Sequence, residues 1–412
     1  TIGVLKVSLY ALYSYVAGNP LKSTTQLGFG VRLRNGLPRW FSRPMRDLIR
    51  QDNLQAIRFM ACVLNIYKAL YGKHPEPDVG TITRMHPDLL QQPIFLEFQT
   101  FCKEVWPKIL EQEIGGKLPE FKHKSAFGML SLHAGPNTTV SAMKSLVLDA
   151  IAWARRGSRN WAEAWFRFHG DTLMLNLLRL CSKERHWGPG GYGGFLMGNR
   201  TPKTAFMEKG WALGNKVAPN DHWINSEGVP VPILGRLHAI DEAAGKVRVV
   251  AITDYFTQTA LKSVHLFLFE ILKKISTDAT FEQDGEVERY FKRNLSPHWS
   301  FDLKSATDLI PIGLYREVLL PLLRSRREDD LHVQHRVELW IKLLTDRDWL
   351  HPKGDTFVRY ETGQPMGALS SWGSMALVHH AIVQFSYYRA VGSENWFKDY
   401  LVLGDDVDIA TD

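Results

Sequence analysis

The sequence predicts an α+β chain in which a mainly helical N-terminal region is followed by strands and helices in alternation. Apolar residues recur at three- and four-residue spacing through residues 48–70 and again through 146–180, the period of helices with one buried face. Beyond a glycine-dense stretch at 186–200, short β-rich runs alternate with helical segments, as in α+β domains. Residues 401–409 read LVLGDDVDI, an apolar run broken by two adjacent carboxylates.

Taken in order, residues 31–50 (VRLRNGLPRWFSRPMRDLIR) carry six arginines against one aspartate, with Trp40 and Phe41 interleaved. Arg32, Arg34, Arg39, Trp40, Arg43 and Arg46 are candidates for single-stranded RNA, through phosphate contacts and base stacking; the alternative is a solvated helix face. Arg155, Arg156 and Arg159 with Trp161 form a weaker cluster of the same kind. The stretch at 186–200, HWGPGGYGGFLMGNR, lacks the Lys-Ser or Lys-Thr ending of a P-loop and reads as a connection or a close backbone approach to a ligand. A boundary is expected near 200–230, with 1–200 mainly helical.

Residues 246–253 read as a strand. Side chains alternate along a strand, so Lys246 and Arg248 share a face and could clamp one triphosphate together with Arg236. Residues 258–274 read as a helix and 299–303 as a strand ending near Asp302. A helix at 314–324, a hairpin over 349–360 and a glycine-bracketed loop at 363–367 come next. That loop enters a nearly all-apolar helix over 369–388, which such composition predicts to be buried. Gly363 and the hydroxyls of Ser370 and Ser371 suit close approach to a sugar-phosphate strand. His379 and His380 point about 100° apart on a helix, so they read as core histidines and not as one metal site. Finally, Gly404 allows a tight hairpin with Asp405 and Asp406 at its tip. With Asp302 beside them, the three carboxylates would nest divalent metal, Mg²⁺ or Mn²⁺, since such cations take hard oxygen ligands.

Composition bounds the rest. A chain of 412 residues, 45% hydrophobic and 23% charged, is globular and long enough for two or three subdomains. The net charge of +7 and pI of about 9.1 suit an anionic partner such as nucleic acid. Cys62, Cys102 and Cys181 lie far apart, which excludes a disulfide scaffold and points to a reducing compartment. No apolar run reaches membrane-spanning length; residues 260–272 are broken by Lys262, His265 and Glu270. The chain opens with Thr1 and stops six residues past Asp406, so it reads as a piece of a longer protein.

The order of basic strand, Asp-x5-Asp, GQPMG-x2-SSW and GDD resembles viral RNA-directed RNA polymerases, most closely those of mitoviruses and narnavirus-like relatives. Four passages carry the resemblance: GRLHAIDEAAGKVRVVAITDYFTQ from Gly235, TFEQD at 280–284, FDLKSATDLIP from Phe301, and GQPMGALSSWGSMALVHH with LGDD. The Asp302 passage resembles motif A, GQPMG motif B, GDD motif C and the Lys246/Arg248 strand motif F. The resemblance implies a right-hand fold, with fingers over 201–298, palm over 299–412 and the thumb largely missing. It also implies template and product RNA, ribonucleoside triphosphates, divalent metal and a host mitochondrion, the alternative location being the cytoplasm. It places Asp302, Asp405 and Asp406 as catalytic and metal-holding residues. Asp308 and Ser371 are expected to select ribose, because the Asn common four residues after the motif B hydroxyl is Met375 here. A reverse transcriptase and an inactive RNA-binding remnant are the rival readings.

Overall fold

The structure, a computed structural model, describes residues 2–69, 74–85, 89–129, 133–138, 145–183, 232–293, 295–325, 328–354 and 356–410. The glycine-dense stretch at 186–200 and the expected boundary at 200–230 lie outside the described residues. Helices and strands are mixed as the sequence predicts, and the chain separates into two compact units. One comprises residues 1–77 and 239–248, the other 78–238 and 249–412.

In the first unit, α1 (Ile2–Val16) is followed by a hairpin of β1 (Leu33–Arg34) and β2 (Leu37–Pro38), then α2 (Arg43–Arg50) and α3 (Leu54–Asn65). The hairpin turns on Asn35 and Gly36, both at positive φ, the pair that a two-residue turn of right-handed twist selects. Ser42 and Asn53 cap α2 and α3 by accepting from Met45 and Ala56 amides. Leu12, Leu37, Phe41, Ile49 and Leu64 close this unit's core.

The second unit opens with α4 (Pro93–Glu104), α5 (Trp106–Glu113), α6 (Leu146–Ala154), α7 (Trp161–Phe168) and α8 (Thr172–Cys181). Strands β3 (Gly235–Glu242) and β4 (Lys246–Thr253) come next, their adjoining ends and the turn between them, residues 239–248, being counted with the first unit. Asp254 then caps α9 (Tyr255–Leu272) and is buried against Arg347, with the Trp153 indole donating to its other oxygen at 2.9 Å. After α10 (Gln283–Lys292) come β5 (His298–Asp302), α11 (Ala306–Leu309), α12 (Ile312–Leu319) and α13 (Asp330–Thr345). A short hairpin, β6 (Trp349–Leu350) and β7 (Phe357–Val358), precedes α14 (Ser371–Val391), β8 (Tyr400–Leu403) and β9 (Asp406–Ala410).

Besides the β1-β2 hairpin, the described strands form a sheet in the order β4-β3-β6-β7 and a sheet in the order β5-β9-β8. The predicted strand at 246–253 and the hairpins over 349–360 and 401–409 are present. Helix α14 is buried along most of its length, as its composition requires, and packs with α9 and the inner face of the three-stranded sheet through Met375, Val378, Tyr400, Val402 and Val407. The outer face of that sheet packs Leu401 and Ala410 against Tyr290 of α10. The acids of interest therefore sit on a sheet end fixed from both sides.

Candidate active site

The β8-β9 hairpin turns at Gly404 and Asp405, with Leu403 opposite Asp406. Gly404 has φ +63°, and a Cβ there would stand 2.5 Å from the Trp372 ring. Glycine is thus required twice, by the left-handed backbone and by the indole. Strand β5 lies antiparallel to β9 with Asp302 opposite Asp406, and the ladder continues with the Leu303 amide donating to the Asp405 carbonyl at 3.1 Å. Opposite residues of a pleated pair share a face. The register therefore pairs Asp302 most directly with Asp406, while Asp405 occupies the turn beside them.

On the same face, Ser300 stands opposite Asp408. His298 Nδ1–H donates to the Asp408 carboxylate at 2.6 Å, and the Ser300 hydroxyl donates to its other oxygen. Burial alone would raise this carboxyl, but these hydrogen bonds hold it below the usual range. Asp406 shows the opposite shift: burial, then the charges of Asp405 and Asp302, push its carboxyl upward. Among the described residues no lysine, arginine or histidine forms an ion pair with Asp302, Asp405 or Asp406. One aspartate on this face is satisfied by its neighbours, and at the end of the face the charges of Asp302 and Asp405 oppose ionisation of Asp406.

Such a set of hard oxygens fits a divalent cation. Among the described residues no three His, Cys, Asp or Glu side chains are grouped closely enough to hold a metal by themselves.

The turn is held from behind by α14. His379 is buried, and its Nδ1 hydrogen-bonds the Gly404 carbonyl at 2.8 Å; the acceptor being a carbonyl, the ring nitrogen donates. Burial lowers the His379 pKa, partly opposed by this hydrogen bond and by Asp405. His380 turns elsewhere, its Nδ1 to the Tyr400 hydroxyl at 2.7 Å and its Nε2 to Asp278 at 3.1 Å. Both are core histidines, as their separation around the helix predicts. The contact of His379 with the turn needed the tertiary packing to be seen.

The motif A turn and the loop before α14 interlock. Asp308, lifted by burial, accepts from the Thr81 hydroxyl at 2.7 Å. Gly363 is buried against the Thr307 and Asp308 backbone, with no space for a side chain. The hydroxyls of Ser370 and Ser371 do not face an open surface: Ser371 donates to the Pro365 carbonyl at 2.7 Å, and Ser370 accepts from the Trp340 indole at 2.9 Å. In this structure they shape the loop, because a buried hydroxyl without a partner costs more than one bonded internally.

The basic residues divide between the two units. Arg236, in the second, is largely buried, donates to the Thr138 carbonyl at 3.3 Å and has its pKa lowered by that burial. Lys246 and Arg248, in the first, do share a strand face, and both reach Glu242, at 3.8 and 2.7 Å. These pairs are exposed and cheap to release. In the N-terminal cluster Arg32, Arg34, Arg39, Arg43 and Trp40 are exposed. Arg46 corrects the expectation: it is 6% exposed, and its guanidinium donates to the Arg39 and Phe41 carbonyls, so it braces this segment from inside. Arg156 and Arg159 are likewise engaged, both on Asp346, which also accepts from Trp161.

A family model described as mitovirus RNA-dependent RNA polymerase matches residues 121–412. The RNA-directed RNA polymerase of Cryphonectria parasitica mitovirus 1 is 38% identical over 188 residues, 45% of this chain and 22% of that protein. An uncharacterized mitochondrial protein of Arabidopsis thaliana is 35% identical over 144 residues, 34% of this chain and 54% of that protein. Among solved structures, a Sicinivirus 3Dpol RNA dependent RNA polymerase aligns with TM-score 0.33 and 18% identity, over 46% of this chain and 45% of that one. The chain spans less than two thirds of each of these proteins.

Proposed function

The chain belongs to the mitovirus RNA-dependent RNA polymerase family, and from that premise we propose that its second unit supports RNA-templated RNA synthesis from ribonucleoside triphosphates. The observation that carries this reading is the meeting of Asp302, Asp405 and Asp406 at one end of a three-stranded sheet, uncompensated by any described cation.

Asp302, Asp405 and Asp406 would hold magnesium or manganese. When bound, the metal supplies Lewis-acid activation of the attacking 3′-hydroxyl and neutralises charge on the leaving phosphate. The chain's own contribution is positioning. Gly404 and His379 fix the turn that carries Asp405, and the β5-β9 ladder sets Asp302 across from Asp406. Asp308 offers a carboxylate oxygen to a sugar 2′-hydroxyl, the group that distinguishes RNA from DNA building blocks. Lys246 and Arg248, whose pairs with Glu242 are exposed, would offer positive charge to a nucleotide's phosphates once released, and Arg236 is a candidate for the same role. Arg32, Arg34, Arg39, Arg43 and Trp40 provide an exposed basic and aromatic strip for template or product RNA. The mitovirus family and the Arabidopsis relative support a mitochondrial location.

Labelled nucleotide incorporation on a defined RNA template tests the proposal. Incorporation of ribonucleotides that requires template and divalent metal, and that Asp302→Ala abolishes, is the expected result. Preferential use of deoxyribonucleotides, or incorporation independent of template, would replace it with a reverse transcriptase or a terminal transferase.

A further inference from the structure

Three separated pieces of chain are laced together beside Asp308. The Glu361 amide donates to the Ile82 carbonyl at 3.1 Å, and the Thr362 hydroxyl donates to the Arg84 carbonyl. The Gln364 amide donates to the Thr307 carbonyl and the Ile312 amide to the Thr362 carbonyl, both at 2.8 Å. Ile82 is 1% exposed, anchored among Leu237, Ala251, Trp349 and Tyr360. This anchoring presents the neighbouring Thr81, whose hydroxyl donates to Asp308 Oδ2 at 2.7 Å. Among the described residues this is the one side-chain hydrogen bond to the Asp308 carboxylate. Thr81 lies before the 121–412 segment that the family model matches.

We propose that Thr81 is a positioning residue for sugar recognition, its hydroxyl fixing the Asp308 carboxylate so that the remaining oxygen faces a nucleotide 2′-hydroxyl. The inference rests on the reading of Asp308 as the ribose contact. A carboxylate can accept about four hydrogen bonds, so Thr81 occupies one direction and leaves Oδ1 available. With one donor and one χ2 torsion to restrain, Thr81 sets the plane of the carboxylate. The bond also favours the ionised form, opposing the burial that raises Asp308. Without it, the acid rotates and protonates more readily, and both changes weaken acceptance from a sugar hydroxyl.

The test is equilibrium titration of the 412-residue chain with GTP and with dGTP in the presence of magnesium, for the wild type, Thr81→Val, Thr81→Ser and Asp308→Ala. Thr81→Val keeps the shape of the side chain and removes the donor; it should narrow the GTP-to-dGTP affinity ratio by about tenfold, the order expected for a hydrogen bond to a charged group. Thr81→Ser should restore the ratio. An unchanged ratio in Thr81→Val, while Asp308→Ala narrows it, would overturn the role of Thr81 and leave Asp308 as the ribose contact. A wild-type ratio that Asp308→Ala leaves intact would overturn the reading of Asp308 and the proposal with it. A lower Tm in Thr81→Val with no change in ratio marks a purely structural contact and also overturns the proposal.

Discussion

Replacing Gly404 with alanine probes the turn that carries Asp405, and its cost can be worked from the structure. The residue sits at φ +63°, where an L side chain costs about 1–2 kcal/mol. The added Cβ would meet Trp372 ring atoms at 2.5, 2.9 and 3.2 Å. The indole is 42% exposed and so can swing outward, giving up ~30 Å² of contact, or roughly 0.7 kcal/mol at 25 cal/mol per Å². The sum is about 2 kcal/mol, concentrated on a few residues. The reporter is the Leu303 amide, which donates to the Asp405 carbonyl. Its native-state hydrogen exchange should accelerate about thirtyfold in Gly404→Ala, because 1.4 kcal/mol corresponds to a factor of ten. Measured in a Trp372→Ala background, the same substitution should accelerate exchange only about tenfold, since the steric part has been removed. Unchanged exchange in Gly404→Ala, or a full effect in the Trp372→Ala background, would refute the reasoning.

Other expectations follow from the same contacts. His379→Leu leaves the buried Gly404 carbonyl without its donor, a loss of about 1–3 kcal/mol, and should raise the manganese Kd; His379→Asn, which keeps a donor, should recover part of it, and equal affinities would exclude the contact from the site. Asp406 should titrate above the ordinary aspartate value of 3.8 when followed by carboxyl ¹³C shifts. Because its folded pKa is raised, its ionisation opposes folding: stability falls as pH rises from the unfolded pKa through the folded one, and Asp406→Asn should flatten that slope. Asp302→Asn and Asp405→Asn should each lower the Asp406 pKa without restoring it fully, burial being the larger cause. Arg46→Ala should destabilise the first unit by roughly 2–3 kcal/mol, as expected for losing hydrogen bonds from a buried charged donor, while Arg32→Ala or Arg43→Ala should weaken RNA binding with little effect on stability. The reverse pattern would return Arg46 to the RNA surface.

Much of the second unit was legible because its signals are local. LVLGDDVDI encodes its own hairpin through one glycine, and the apolar composition of 371–391 requires burial whatever surrounds it. The strand at 246–253 was legible from its β-branched run, and the shared face of Lys246 and Arg248 from the period of two. The rest depends on contacts across long sequence separations. Nothing near Arg46 indicates that its guanidinium turns inward to backbone carbonyls. Ser370 and Ser371 read as open donors because Trp340 and Pro365, which occupy them, are brought in by packing and turn geometry. Thr81 lies 227 residues from Asp308, and no periodicity connects them. Register is the subtlest case: the spacing placed Asp302 near the hairpin, but only the β5-β9 ladder shows Asp406 directly opposite it.

Manganese titration of the 412-residue chain, followed by electron paramagnetic resonance, tests most directly whether these acids form a metal site. The expected result is binding in the wild type that is lost or weakened at least tenfold in both Asp302→Ala and Asp405→Ala, with each variant still folded by circular dichroism. Undiminished manganese binding in either folded variant would contradict the assignment of that residue, and undiminished binding in both would remove the metal site from the β5-β9-β8 sheet.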